Sequence, residues 1–148
     1  MVIKFYSIRD KEYGCFSNFA AAPFELDGKY WPTTEHYYQA QKFLDPTLQK
    51  QVRQTKKPGD AARLGRDRKL PLREDWNEVR DSVMEKALIA KFTQHKDMRE
   101  LLLSTGDATL IEHTVNDSYW GDGGDGTGKN MLGIMLMKVR AQLRNAAG

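Results

Sequence analysis

The 148 residues carry 23 Lys and Arg against 20 Asp and Glu, a formal charge of +3, with 40% hydrophobic, 29% charged and 10% aromatic residues. That length and profile predict one globular domain over residues 1–148 and exclude a disordered or collagen-like chain. The single cysteine, Cys15, excludes an internal disulfide framework and a multi-cysteine zinc site, and three excess cations scattered among anions are no nucleic-acid footprint by themselves.

Ile3 and Phe5 alternate with Lys4, which predicts a short strand. Phe24-Glu25-Leu26 and Lys29-Tyr30-Trp31 flank Asp27-Gly28, a hairpin signal because glycine accepts positive φ. Pro32-Thr33-Thr34 reads as a helix entrance capped by a threonine hydroxyl, with the helix running from about Glu35 to Phe43. Asp45-Pro46 starts a second helix that fades near Thr55, before a turn at Pro58-Gly59. Ala61–Leu64 predicts a short helix stopped by Gly65, and Arg66–Arg73 is basic and irregular. Asp75 with Glu78 resembles a capping box that opens the longest helix, to about Gln94, along Val79, Val83, Ala87, Leu88 and Phe92. Met98, Leu101 and Leu102 mark another helix, Thr109–His113 a strand, Gly121–Lys129 a loop with five glycines, and Met131–Leu143 a last helix. The expected fold is α+β, mostly helical with a small sheet or hairpin. The N-terminal Met-Val-Ile-Lys-Phe-Tyr has no charged region followed by an apolar core, and Ile134–Met137 is far short of a membrane span, so a cytoplasmic location with no membrane partner is expected.

Three polar clusters carry chemistry. Glu35, Gln39 and Lys42 at i, i+4 and i+7 share one helix face beside Tyr38, placing a carboxylate, an amide and an amine together; a solvated surface face has the same spacing. Gly123-x-x-x-x-Gly128-Lys129-Asn130 nearly matches a phosphate-binding P-loop, but Asn stands where Ser or Thr would meet magnesium and no apolar strand precedes it. The softer reading there is an anion held by free amides at the start of the last helix, with Lys129 adding charge; a linker with Asn130 as helix cap is the alternative. Glu112-His113-x-x-x-Asp117-x-x-Trp120 combines carboxylates for acid–base work with an indole for stacking on a base, or is a turn beside a core tryptophan. Phe16-Ser17-Asn18-Phe19 suits a pocket lip, and Gly65-Arg66-Asp67-Arg68 a phosphate-binding turn. His36, His95 and His113 lack close ligand spacing, so no metal is expected.

Taken together, Phe16-Ser17-Asn18-Phe19, Trp31-Pro32-Thr33-x-Glu35-His36-Tyr37-Tyr38-Gln39-Ala40-Gln41-Lys42-Phe43, Gly65-Arg66, Leu110-x-Glu112-x-x-x-x-Asp117-x-x-Trp120-Gly121 and Gly128-x-Asn130-x-Leu132-Gly133-x-x-Leu136-Met137-x-x-Arg140 resemble the NADAR domain family, from about Phe5 to Leu143. The resemblance implies an N-glycosidase that acts on a small ribosylated base or nucleotide, such as the ribosylated pyrimidine intermediates of riboflavin synthesis. Other members of the family remove ADP-ribose from guanine in DNA, and a non-catalytic ADP-ribose-binding module is a third reading. Glu35 is then expected as the main catalytic carboxylate, Asp117 as a second acid–base or orienting group, and Lys42 as a cation or as an amine that forms a Schiff base with an opened ribose. Trp120 would stack on the base, with Ser17, Asn18, Phe19 and Tyr38 lining the ligand. Arg66, Lys129 and the Gly128 amide would take phosphate, and Asn130 would orient the loop or the ribose. No cofactor or metal is implied.

Overall fold

A computed structural model describes residues 1–147. Among them the elements follow the order β1 (Val2–Phe5), a 3-10 turn at Gly14–Phe16, β2 (Phe24–Leu26), β3 (Lys29–Trp31), α1 (Thr34–Ala40), α2 (Pro46–Arg53), α3 (Pro58–Gly65), α4 (Trp76–Gln94), α5 (Lys96–Ser104), β4 (Thr109–Glu112) and α6 (Met131–Ala147). The fold is α+β and mostly helical. Two compact units divide it, one of residues 18–91 and the other of residues 1–17 with 92 onward.

In the unit of residues 18–91, β2 and β3 pair antiparallel across Asp27 (φ 55°) and Gly28 (φ 76°), the two positive-φ positions a two-residue hairpin requires. The Asp27 carboxylate accepts from Lys86 Nζ at 2.6 Å and from the Tyr37 hydroxyl at 2.9 Å, which ties the turn to α4 and α1. Phe24, Trp31, Tyr37, Phe43, Val52 and Ala61 form the core of this unit with Ala40, Ala87 and Ala90. Each large side chain fully buried there contributes about 1.5–3 kcal/mol.

Helix α1 is short and buried on every side. Thr33 caps it by accepting the His36 N–H at 3.1 Å. The helix ends at Ala40, three residues short of the expected Phe43, because the last turn tightens: Lys42 N–H donates to Gln39 C=O and Phe43 N–H to Ala40 C=O, both at 3.2 Å. The His36 ring is fully buried, with Nε2 3.0 Å from the Thr55 carbonyl and Nδ1 2.8 Å from the Thr33 hydroxyl. A carbonyl only accepts, so Nε2 carries the proton and Nδ1 accepts from Thr33. Burial pushes the imidazole pKa down, keeping it neutral.

Other boundaries also differ from expectation. Helix α3 begins at Pro58, where a turn was expected, because proline at the first helical position lacks only an N–H that would have no helical partner. Helix α6 extends past Leu143 to Ala147.

In the other unit, β1 and β4 pair in parallel, Ile3 opposite Leu110, with Ile3 and Phe5 buried and Val2 and Lys4 exposed. Phe16 packs edge-on against Phe5 at 5.7 Å and Phe92 at 5.9 Å between ring centres. Leu132, Leu136 and Val139 of α6 are fully buried, as is Leu110 of β4. Arg140 reaches back from α6 to the turn after α5, donating to Thr105 Oγ1 at 2.9 Å and to the Ala108 carbonyl at 2.8 Å.

Candidate functional site

The expected polar face of α1 is buried, which overturns the solvated-face reading: Glu35 is 9% exposed and Gln39 5%. An ionised carboxylate leaves water only where donors replace the water it loses. Gln39 Nε2 donates to Glu35 Oε1 at 2.6 Å, one turn along the helix. The loop before α1 is tied on as well, since Glu35 N–H donates to the Asn18 carbonyl at 3.1 Å. Asn18 itself is buried, and Phe19 is 41% exposed.

Lys42 lies just beyond α1, in the tightened turn. Its Nζ donates to the Gly65 carbonyl at 3.2 Å and sits 5.8 Å from the Tyr38 ring centre and 5.9 Å from that of Trp76. Tyr38 and Trp76 meet edge-on at 5.0 Å. Burial is the main cause that holds the Lys42 ammonium below its ordinary pKa; the charge of Glu35 opposes that shift and Arg66 adds to it. Arg66 stands exposed at the C-cap of α3. Asn18, Glu35, Tyr38, Lys42 and Arg66 are therefore placed within one unit. Gln39 completes the carboxylate's surroundings, and Trp76 and Gly65 complete the amine's. Trp76 carried no motif signal, whereas the i, i+4 spacing had already put Gln39 beside Glu35. A separate open cleft of about 510 Å³ in this unit, lined by Leu44, Pro71, Leu72 and the Arg73–Asp75 pair, holds none of these groups.

The remaining expected residues lie in the other unit. Ser17 is buried after the 3-10 turn, its N–H donating to Gly14 C=O at 3.1 Å. Asp117 Oδ1 accepts the Tyr119 and Trp120 N–H groups, each at 2.9 Å, which fixes the turn bearing the buried Trp120. Asn130 (φ 53°) spends its side chain on β4, accepting Glu112 N–H at 2.9 Å and donating to the Leu110 carbonyl at 2.9 Å. The anion site expected at the start of α6 is corrected. The amides of Gly128, Lys129, Asn130, Met131 and Leu132 donate to the carbonyls of Asp122, Ser118, Gly121, Tyr119 and Trp120. Their N–H groups are occupied, so the Gly128 amide is not available to phosphate. Lys129 is exposed, its Nζ 5.6 Å from the Tyr119 ring centre.

Asp122, just before Gly123 and Gly124 of this loop, is a loop anchor. It is 4% exposed and accepts from Thr114 N–H at 3.1 Å and Gly124 N–H at 2.8 Å, with His113 Nδ1 2.8 Å away. The His113 contact is the largest of the causes that lower its pKa to about 2. Among the described residues, no group of three or more His, Cys, Asp or Glu is arranged to hold a metal ion, and no helix is long and apolar enough to cross a membrane.

The chain is 58% identical over 142 residues to N-glycosidase YbiA of Escherichia coli, covering 96% of this chain and 88% of that protein. It is 43% identical over 138 residues to a riboflavin biosynthesis protein of Vibrio vulnificus, covering 93% of this chain and 38% of that one. The NMR structure of E. coli YbiA superposes with a TM-score of 0.92 at 56% identity, covering 99% of this chain and 87% of that chain. The family model for the NADAR domain matches residues 4–144, so this chain belongs to the NADAR domain family.

Proposed function

We propose that this chain hydrolyses the C1–N bond of ribosylated amino-pyrimidine and amino-uracil phosphates of riboflavin biosynthesis, releasing ribose 5-phosphate and the free base. The coarser part, a hydrolase acting on N-glycosyl bonds, follows from its similarity to the named N-glycosidases over nearly its whole length. The choice of substrate draws support from the riboflavin biosynthesis protein to which the chain is similar.

The observation that carries the mechanism is a desolvated amine, Lys42, in the field of a buried carboxylate, Glu35. Glu35 stabilises the positive charge that develops at C1 as the ring C1–O bond opens, with the bond's electrons and the proton of the glycosyl nitrogen passing to the ring oxygen. Its second oxygen is assigned to the ribose ring or to the attacking water. Lys42, whose charged form burial disfavours, is assigned the nucleophile's part. Once the glycosylamine has opened to its C1=N form, the Nζ lone pair adds to C1. Both Nζ protons pass to the base nitrogen, and the base leaves as a free amine. Water then adds to the Lys42–C1 imine, returning the amine and releasing the sugar aldehyde. Arg66, exposed at the end of α3, is assigned to the substrate phosphate. In the other unit, Asp117 and Asn130 are assigned orienting roles for the loop that bears Trp120.

Product analysis by mass spectrometry tests the reading. Wild type is expected to release ribose 5-phosphate from the ribosylamino-pyrimidine and ribosylamino-uracil phosphates. Glu35→Gln, which keeps the shape and removes the charge, is expected to lose about 100-fold or more in kcat. Full activity of that variant removes Glu35 from the mechanism. Release of ADP-ribose from guanine-modified DNA, with no turnover of the small substrates, moves the function to removal of a base modification.

A further inference from the structure

The carboxylate and the amine are joined through two residues to which no role has yet been given. Gln39 is 95% buried and donates through Nε2 to Glu35 Oε1. A carboxylate accepts and does not donate, so this contact fixes which end of the amide faces Glu35. The other end, Oε1, is buried without a hydrogen-bond partner and lies over Gly65. A Cβ built on Gly65 collides with that oxygen and with the amide carbon behind it. Gly65 is helical, and no positive φ demands glycine there. The demand for glycine is the space the Gln39 amide occupies. The carbonyl of the same Gly65 accepts Lys42 Nζ.

A buried acceptor with no partner destabilises the fold. Packing alone would be served as well by an apolar side chain of the same shape. The amide earns its place through its other end, on Glu35.

Resting on that assignment of Glu35 and Lys42, we infer that Gln39 and Gly65 are positioning residues. Gln39 holds Glu35 ionised and in one rotamer. Gly65 makes room for the Gln39 amide and, through its carbonyl, fixes Lys42 at a set distance from the carboxylate. Charged groups in this neighbourhood include Lys42, in the field of Glu35, and Arg66, which acts on Lys42. Asp60 of α3 acts on His36, and Arg53 of α2 stands over the Trp31 ring. All of these are unchanged in the variants below, so the comparison isolates the amide.

The test has two readouts. The first needs no turnover: 13C NMR titration of the Glu35 side-chain carboxyl in the full chain. Gln39→Met keeps the length and removes the donor; Gly65→Ala displaces the same amide from another element. In both, the carboxyl midpoint is expected to rise by about one unit, the loss of one charge-assisted hydrogen bond. The second is kinetic. Each variant is expected to lose about tenfold in kcat with KM little changed. Adding Gly65→Ala to Gln39→Ala is expected to cost little more, because the short side chain no longer occupies the space. An unmoved carboxyl midpoint in both variants overturns the inference, as does an unchanged kcat in variants that only melt earlier. A wild type that fails to turn over the ribosylamine phosphates is a failure of the proposed substrate, and the titration then decides the positioning roles independently.

Discussion

At the scale of single residues, Lys42 is where structure and chemistry constrain each other most. A lysine on a solvated helix face is a cation at neutral pH and no nucleophile. Here the amine sits beside the edge-on pair of Tyr38 and Trp76 with the Gly65 carbonyl as acceptor, and burial lowers its pKa. Two consequences follow from that direction. Activity that depends on the neutral amine rises with pH through the lowered value, so its alkaline plateau begins below the range of a free lysine. Stability moves with it. Between the lowered folded value and the ordinary unfolded one, the unfolded chain binds more protons, so Lys42 costs the fold stability at neutral pH and the cost fades as pH rises through that window. Lys42→Met is therefore expected to be inactive yet to melt higher than wild type at pH 7. Borohydride added during turnover is expected to leave a sugar adduct on wild type and none on Lys42→Met or Lys42→Arg, read by peptide mass. Turnover by wild type without any adduct rules out the imine route.

At the scale of elements, the loop from Gly121 to Asn130 resembled a phosphate cradle in sequence and proves to be self-satisfied. Glycine spacing reports that a backbone bends, and it does not report where the freed amides go. Here they go to carbonyls of the loop itself and of the turn just before it, Asp117 to Trp120, while Asn130 is bound to β4 and Asp122 anchors the bend. The hairpin was legible because its turn chemistry is local: Asp27-Gly28 at positive φ has few alternatives. The start of α3 was not, because Pro-Gly serves a turn and a first helical turn equally well. Asp122 supplies the prediction at this scale. Its pKa is lowered from 3.8 to about 2, so its contribution is present above the unfolded value and is lost as pH falls through the folded one. The melting temperature of wild type is expected to exceed that of Asp122→Asn above about pH 4, with the gap closing toward pH 2. A gap that stays constant across that range shows that the carboxylate charge is not what holds the loop.

At the scale of the whole molecule, the motifs were legible as an ordered set where each alone was ambiguous. Glu35, Gln39 and Lys42 have spacings that any exposed helix could carry. What the spacing could not say is that α1 is buried on all sides, because that depends on how β3, α2 and α3 pack around a short polar helix. Charge is the other property of the whole chain, and it separates the two substrate classes. A formal +3 from 23 cations and 20 anions gives little long-range attraction. A small substrate with one phosphate, held by a cation such as Arg66, loses only modest affinity as salt screens that contact. A substrate carried on DNA is bound largely through released counterions, and six or more phosphate contacts would lose about a thousandfold between 50 and 200 mM salt. The value of kcat/KM for the ribosylamine phosphates is therefore expected to fall by no more than a few-fold over that range. A steep log–log dependence, for these substrates or for modified DNA, would mean that an extended polyanion is the partner for which the exposed basic residues around α3 are spaced.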